Sequence, residues 1–238
     1  MKLAQRAQDA PELLDEPNHN PEQLARSLRH VAQVNHVLGG TRAIIRWVYR
    51  VVGRKGGSLL DLATGNAEVP VVLARWARRQ SIPLTIHATD VHPQMLELAR
   101  RNCGPYPEIT VEPADALQLP YADGRFTLSV MTLALHHFEG ADLIRALREA
   151  ARVSRRAILV SELERGWPNY LGAHFLAKTW WRRDPLTRHD GPLSVLRSFT
   201  RNELLALAHS AGLPDARVSR HFFYRLMLFA DLKAGQPT

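Results

Sequence analysis

Two aspartates stand where apolar segments of the chain end and small residues follow. Asp61 lies in the run Leu59–Asn66, and Gly65 follows it within a short turn. A glycine at this point lets the backbone bend sharply and approach a ligand closely, because it has no Cβ atom. Asp90 ends the next apolar segment, 25 positions after Gly65. Carboxylates placed in this way accept hydrogen bonds from hydroxyl groups and attract positive charge.

The turn differs from a dinucleotide-binding turn. A dinucleotide site has the pattern G-x-G-x-x-G, whose glycines approach the pyrophosphate. Here the turn has one glycine, and an acid stands where a pyrophosphate would be repelled. S-adenosylmethionine has no phosphate and carries a sulfonium and an ammonium group, so the acid favours this cofactor over NAD.

Four motifs in order resemble those of the class I S-adenosylmethionine-dependent methyltransferases, and they span roughly residues 58–161. The family motif D/E-x-G-x-G-x-G is similar to Asp61-x-Ala63-x-Gly65-x-Ala67, with alanine at two glycine positions. The other three family motifs resemble Asp90 with the helical segment after it, Asp115-Ala116, and residues 123–137. In the last of these, Thr127 replaces the usual aspartate. The ending Leu-His-His and the pattern of residues 200–213 are most similar to the menaquinone/ubiquinone-biosynthesis branch and its secondary-metabolite relatives.

The resemblance implies where the cofactor binds. Asp90 is expected to bind the ribose hydroxyls, Asp115 the adenine amino group and Asp61 the positively charged part. The expected cofactor-binding residues are Asp61, Ala63, Thr64, Gly65, Asn66, Asp90, Val91, Asp115, Ala116, Thr132 and Leu133. The alternatives are a helix cap or an ion-pair partner for Asp61, a helix cap for Asp90 and a turn residue for Asp115.

Three histidines are candidate catalytic residues. His136 and His137 follow the segment expected to end at the cofactor, and His189 precedes an aspartate that could orient its ring. The pKa of histidine is near neutrality, which suits removal of a proton from an acceptor hydroxyl. The alternative is that the histidine pair only supports the pocket wall.

The elements that must position these residues follow a β-α alternation. The patterns predict strands at residues 58–62, 84–88, 109–112, 126–133, 157–161, 216–219 and 222–229. They predict a first helix that follows the cap Asn20, has Pro21 in its first turn and stops at Gly39-Gly40, and a second helix, through about residue 52, that Thr41 could cap. Further helices are predicted at residues 68–79, 93–102, 141–152, 166–183 and 203–211, with a loop at 184–198. Thr200 and Glu203 are predicted to form a capping box at the last helix. This rhythm favours an α/β fold with helices on both faces of a parallel sheet. The resemblance implies a Rossmann-like, seven-stranded, mostly parallel sheet whose last strand is antiparallel.

The predicted organisation has two parts. Residues 1–55 form an N-terminal helical cap after a loose acidic start, and residues 56–238 form the methyltransferase domain, with an acceptor-pocket insertion near 163–198. Asn35, His36 and the pair Gly39-Gly40 could lie over the cofactor as a lid, or the glycines could simply end a helix. The aromatic residues between Trp167 and Trp181 could pack in the cap or line a flat, apolar acceptor pocket.

Composition limits the functional classes. Lysine and arginine total 31 against 23 acids, a net charge of +8, but the arginines are scattered in pairs and form no long basic run. One cysteine excludes an intrachain disulfide, and we expect no metal. The N-terminal residues lack a signal-peptide pattern, no segment has the length of a membrane span, and we expect a cytoplasmic protein.

The sequence therefore predicts an S-adenosylmethionine-dependent methyltransferase acting on a small organic acceptor. A hydroxylated aromatic, quinone-like or polyketide-like acceptor is expected, with O-methylation favoured. One alternative is a nucleic-acid methyltransferase, which the charge favours and the lack of a separate binding module disfavours. Another is a non-catalytic scaffold that keeps the cofactor fold.

Overall fold

A seven-stranded sheet forms the centre of the computed structural model, which describes residues 3–8 and 10–232. The strands are β1 (Gly57–Leu62), β2 (Leu84–Asp90), β3 (Ile109–Pro113), β4 (Phe126–Thr132), β5 (Ser154–Leu163), β6 (Arg217–His221) and β7 (Arg225–Asp231). Their order is β3-β2-β1-β4-β5-β7-β6; β1 to β5 are parallel and β7 is antiparallel to β5 and β6. The predicted sheet is confirmed. Its topological switch point, where open α/β sheets bind ligands, lies between β1 and β4.

Helices cover both faces of this sheet. They are α1 (Pro21–Val37), α2 (Gly40–Val52), α3 (Glu68–Arg79), α4 (Pro93–Cys103), α5 (Gly140–Arg152), α6 (Trp167–Lys178), α7 (Pro185–Arg197) and α8 (Arg201–Ser210). Three-residue 3₁₀ helices occur at Leu13–Asp15, Gly53–Lys55 and Leu135–His137. Within the described part of the chain, no helix combines the length and apolar character needed to cross a membrane.

Two hydrophobic cores hold the helices to the sheet. On one face, Ile44 and Val48 of α2 join Leu73 of α3 and residues of α4, all in contact with the strands. On the other face, α5 and α8 bury Leu147 and Leu204. Helix α2 thus belongs to a core of the sheet, and the boundary at residue 55 stays a prediction.

The predicted helix starts are partly confirmed. Asn20 caps α1, since its side chain accepts two backbone N–H groups of the first turn. Thr200 and Glu203 form the predicted capping box at α8. The prediction that Thr41 caps α2 is wrong, because the cap is Gly39 and Thr41 is buried inside the helix.

The predicted loop at residues 184–198 is wrong, because this segment forms α7. Gly191 and Pro192 suggested a loop, yet both lie within the helix. Gly191 is needed for close packing, since a Cβ atom there would lie 2.5 Å from Cζ3 of Trp181. The helix buries Leu186 and Val195, and this packing outweighs the local preference for a loop.

Three further boundaries differ from the predictions. The last strand begins at Arg225, since residues 222–224 form a turn in which Phe223 and Tyr224 have φ of 53° and 51°. Helix α6 ends at Lys178, before the predicted residue 183. Strand β5 continues to Leu163 and so includes Glu162.

Candidate functional site

A cavity of about 640 Å³ lies at the carboxyl ends of β1, β2 and β4. Its floor consists of the loops that follow these strands, and its walls come from α1, α6, α7 and the 3₁₀ helix Leu13–Asp15. That 3₁₀ helix corrects the prediction of a loose acidic start. Most side chains from α1 and α6 that reach the cavity are apolar, including Leu28, Val31, Phe175 and Leu176. Such a lining suits a small apolar molecule.

The turn after β1 has the shape that its motif requires. Ala63, Gly65 and Ala67 all have left-handed φ, at 51°, 55° and 58°. A Cβ atom on Gly65 would have no neighbour within 4 Å among the described residues, so this turn faces open space. A ligand can therefore lie directly against the Gly65 backbone.

Asp90 is placed to bind a ligand. Its Oδ2 accepts a hydrogen bond from Gly65 N at 2.9 Å, and its Oδ1 accepts one from His92 N at 2.9 Å. The side chain lines the cavity, and each carboxylate oxygen has a second lone pair for a ligand hydroxyl. Burial raises the pKa of Asp90, although the two backbone hydrogen bonds partly oppose that rise.

Asp61 lies beneath the turn, outside the set of described residues that line the cavity. It is 2% exposed, and its Oδ2 accepts a hydrogen bond from Thr64 Oγ1 at 2.6 Å. Burial raises the pKa of Asp61 to about 7. The hydrogen bond from Thr64 opposes this rise, and the negative charges of Asp90 and Glu68 add to it. Asp61 thus shapes the turn, and its expected direct contact with a cofactor stays a prediction.

The other predicted cofactor residues divide into two groups. Those that line the cavity are Ala63, Thr64, Gly65, Asn66, Asp90, Val91, Thr132 and Leu133. Asp115 and Ala116 do not line it: Asp115 is exposed and accepts a hydrogen bond from Leu117 N at 2.8 Å, as a turn residue does, while Ala116 is buried. The structure therefore assembles most of the predicted set and leaves the adenine contact as a prediction.

His136 is held between two buried carboxylates. Its Nδ1 lies 2.8 Å from Oε2 of Glu162, and its Nε2 lies 3.5 Å from Oε1 of Glu12. Burial lowers its pKa, but the charge of Glu162 and the hydrogen bonds to both acids raise the value to about 10. At neutral pH His136 is therefore a protonated cation, so it cannot accept a proton from a substrate.

His137 has the surroundings of a general base. It lines the cavity, its side chain is 30% exposed, and its Nδ1 lies 2.8 Å from Oδ1 of Asp15. Burial raises the pKa of Asp15, but the hydrogen bond and charge of His137 outweigh it and lower the value. A carboxylate beside Nδ1 favours the tautomer with its proton on Nδ1, in which Nε2 is a hydrogen-bond acceptor.

His189 lies away from the cavity. Its side chain is 50% exposed, and its Nδ1 lies 2.7 Å from Oδ1 of Asp190, as the sequence suggested. Asp190 itself faces inward, where its two oxygens accept hydrogen bonds from the N–H groups of Leu13 and Leu14 at 2.9 Å. Asp190 therefore holds the N-terminal segment, and a catalytic role of His189 stays a prediction.

Among the described residues, one group of side chains has the composition of a metal site. Ligand atoms of Glu12, His136 and His137 lie within 4.8 Å of one another. The two ring nitrogens of His136 already face the carboxylates of Glu162 and Glu12, so ion pairing alone accounts for this grouping. The expected absence of a metal stays a prediction.

Sequence reasoning missed several residues of this site. Glu68, Glu162 and Arg225 were not expected there, nor were Glu12 and Asp15. Glu162 had a signal, because an acid near the carboxyl end of a buried parallel strand follows the same rule as Asp61 and Asp90. Arg225 had none, since it reaches the cavity from the other end of the chain.

Comparisons with known proteins agree with this geometry. Residues 59–157 match the family described as a methyltransferase domain. The chain is 32% identical over 116 residues to the demethylmenaquinone methyltransferase of Thermus thermophilus, covering 47% of this chain and 50% of that protein. It is 29% identical over 112 residues to the ubiquinone/menaquinone biosynthesis C-methyltransferase UbiE of Geotalea uraniireducens, covering 44% and 46%. The chain thus spans about half the length of the curated relatives it matches.

Solved structures show the same fold. A structure described as an S-adenosylmethionine-dependent methyltransferase from Aquifex aeolicus has a TM-score of 0.65 and 14% identity, covering 90% of this chain and all of that one. Together with the family match, this likeness confirms the predicted resemblance to the class I methyltransferases and the predicted fold.

Proposed function

We propose, from the class I methyltransferase fold and the methyltransferase domain of this chain, that the protein binds S-adenosylmethionine and methylates a small organic acceptor. The observation that carries this proposal is a single cavity in which the Gly65 turn and Asp90 face an apolar chamber that contains His137. The Gly65 turn and Asp90 suit a nucleoside, and the apolar chamber suits the acceptor. The curated relatives, named for demethylmenaquinone and for ubiquinone/menaquinone biosynthesis, support a quinone-like acceptor.

Binding and alignment are the main contributions of the chain. Asp90 accepts hydrogen bonds from the ribose hydroxyls, and the left-handed Gly65 turn leaves room for the nucleoside. When bound, S-adenosylmethionine supplies a methyl group on a positively charged sulfur that is already a good leaving group. The walls of α1 and α6 exclude water and hold the acceptor in line, which lowers the entropic part of the barrier.

His137 is the proposed general base. With Asp15 beside Nδ1, the Nε2 atom takes the proton of an acceptor hydroxyl, and the imidazolium that forms is stabilised by the Asp15 carboxylate. The resulting phenolate is a stronger nucleophile at its oxygen, so O-methylation of a hydroxylated aromatic is the product we favour. Since one relative is named as a C-methyltransferase, methylation of a ring carbon of the same anion is the alternative.

Methyl-labelled S-adenosylmethionine tests this proposal. The protein is incubated with a panel of reduced naphthoquinones, hydroxylated aromatics and transfer RNA, and label is sought in each product. Labelled aromatic product supports the proposal, and its NMR spectrum separates O- from C-methylation. Label in RNA alone would favour the nucleic-acid alternative, and cofactor binding with no labelled product from a cell extract would favour a scaffold. A cytoplasmic location and a role in secondary metabolism stay predictions.

A further inference from the structure

Arg225 reaches the cavity from the first position of β7 and is 4% exposed. Its Nη2 donates a hydrogen bond to Oδ1 of Asn35 at 2.9 Å. Its Nη1 is buried and has no hydrogen-bond partner among the described residues. A buried guanidinium with an unpaired donor carries a desolvation cost that a bound anion would remove.

The acids near Arg225 are already engaged elsewhere. Glu162 lies 2.8 Å from Nδ1 of His136, and Glu68 takes a hydrogen bond from Asn35. Burial lowers the pKa of Arg225 to about 10, although the charges of Glu162 and Glu68 oppose this, so the guanidinium is still charged at neutral pH. The Nη1 donor of this cation is therefore available to a further partner.

The surroundings hold Arg225 in place. Its backbone pairs with Leu163 in the ladder between β5 and β7. Asn35 can reach the guanidinium only because residue 40 is glycine, since a Cβ atom on Gly40 would lie 2.1 Å from Oδ1 of Asn35. A rigid strand and a fitted hydrogen-bond partner make Arg225 a preorganised group.

We propose that Arg225 forms an anion-binding site in the cavity wall and that its Nη1 donates to a carboxylate of the bound molecule. Two sources supply such a group: the amino-acid end of the cofactor and an acidic substituent on the acceptor. Glu68 also lines the cavity and is hydrogen-bonded to Asn35. Burial raises the pKa of Glu68 to about 7, and a bound ammonium group would stabilise its carboxylate form, which favours the amino-acid end. For that source, the inference rests on the proposed cofactor.

Calorimetric titration with two nucleosides tests the first source. S-adenosylhomocysteine has the amino-acid carboxylate, and 5′-methylthioadenosine lacks it. We expect Arg225→Gln to lower the affinity for S-adenosylhomocysteine about 10- to 100-fold, as for the loss of a charged hydrogen bond. The affinity for 5′-methylthioadenosine should not change. Arg225→Lys should restore part of the affinity. The matched control is Arg217→Gln, which replaces an exposed arginine on β6.

Benzoate and benzamide test the second source, in the presence of saturating S-adenosylhomocysteine. A preference of the wild type for benzoate that Arg225→Gln abolishes would assign the site to the acceptor. Unchanged affinities for all four probes in both variants would overturn the proposal. If the variants unfold, the wild type alone can still overturn the proposal. It does so if it binds S-adenosylhomocysteine no better than 5′-methylthioadenosine and benzoate no better than benzamide. If the wild type binds neither nucleoside, the proposed cofactor is wrong. The affinity for benzoate in the absence of a nucleoside then still tests whether Arg225 binds an anion.

Discussion

Two adjacent histidines have different surroundings, and the proposed mechanism gives them opposite roles. His136 is 2% exposed and lies between Glu162 and Glu12, which keep it protonated. His137 is partly open to the cavity, and its Nδ1 lies 2.8 Å from Oδ1 of Asp15. The first histidine neutralises buried charge, and in the proposed mechanism the second takes the proton of the acceptor.

Replacing each histidine by asparagine should separate these roles. His136→Asn leaves two buried acids without their cation, and we expect a loss of about 3–5 kcal/mol in the free energy of unfolding. His137→Asn should unfold near the wild-type urea concentration and lower kcat by about 10²- to 10⁴-fold. Urea titration and labelled-methyl assays measure the two effects. An equally stable His136 variant or a fully active His137 variant would contradict the assignment.

The pKa of His136 also fixes a pH window. Its folded value of about 10 lies above its ordinary value of 6.5. The stability it contributes is therefore complete below pH 6.5 and is lost as the pH rises through 10. The difference in unfolding free energy between wild type and His136→Asn should shrink over that range.

Alanine at the left-handed positions of the turn carries a cost that glycine does not. Ala63 has φ of 51° and Ala67 has φ of 58°, a conformation that the Cβ atom disfavours. Ala67 is fully buried, so its methyl group offsets part of the strain through packing. Ala63 is only partly buried and has less compensation.

Ala63→Gly should therefore stabilise the protein. The relieved strain exceeds the entropy that glycine adds to the unfolded chain, and we expect a gain of about 0.5–1 kcal/mol. Ala74→Gly, a buried alanine inside α3, should instead cost about 1–2 kcal/mol. Thermal unfolding of both variants checks the prediction. A lower Tm for Ala63→Gly would show that the turn is not strained at this residue.

At the scale of elements, α7 positions the N-terminal segment. Asp190 accepts hydrogen bonds from Leu13 N and Leu14 N, and this holds the 3₁₀ helix that carries Asp15 and adjoins Glu12. The partner of the proposed base thus depends on a helix far along the chain. Residues of both segments line the cavity wall.

Asp190→Ala should release this segment. We expect faster amide hydrogen exchange at residues 12–16 and a loss of activity comparable to that of His137→Asn, because Asp15 would no longer be held beside His137. His189→Ala removes the exposed neighbour and should leave kcat unchanged. Unchanged exchange in Asp190→Ala, or a large loss of kcat in His189→Ala, would show that this part of the site is misassigned.

The sequence predicted the elements whose burial is regular. Helix α3 was predicted with its observed ends, and β1 to β5 were found because runs of buried apolar residues end in turns. Helix α7 was missed because Gly191 and Pro192 are typical of loops, and only the contact with Trp181 explains the glycine. The turn at residues 222–224 was missed because aromatic residues favour strands.

The candidate site follows the same division. Asp90 and the Gly65 turn were predicted, because ligands of open α/β sheets bind at the carboxyl ends of the parallel strands. Glu12, Asp15 and Arg225 come from distant parts of the chain, and no local pattern indicates that α7 and β7 bring them to the cavity. Local spacing thus predicts the floor of the cavity but not its walls.

For the whole molecule, one cavity joins the parts that the proposed reaction needs. The net charge of +8 is spread over scattered surface arginines, whereas the cavity contains buried acids paired with buried cations. Several of its apolar lining residues are exposed, including Phe175 and Phe223, so an apolar acceptor can enter beside them. The arrangement favours a small apolar acceptor over a nucleic-acid strand.

The most direct measurement is calorimetric titration of the wild type and of Asp90→Ala with S-adenosylhomocysteine, with the exposed Asp215→Ala as control. We expect one ligand per chain for the wild type and the control. The loss of two charged hydrogen bonds to ribose should weaken binding to Asp90→Ala by at least about 10-fold. A wild type that does not bind, or an Asp90→Ala variant that binds as tightly as the wild type, would contradict the proposed cofactor site.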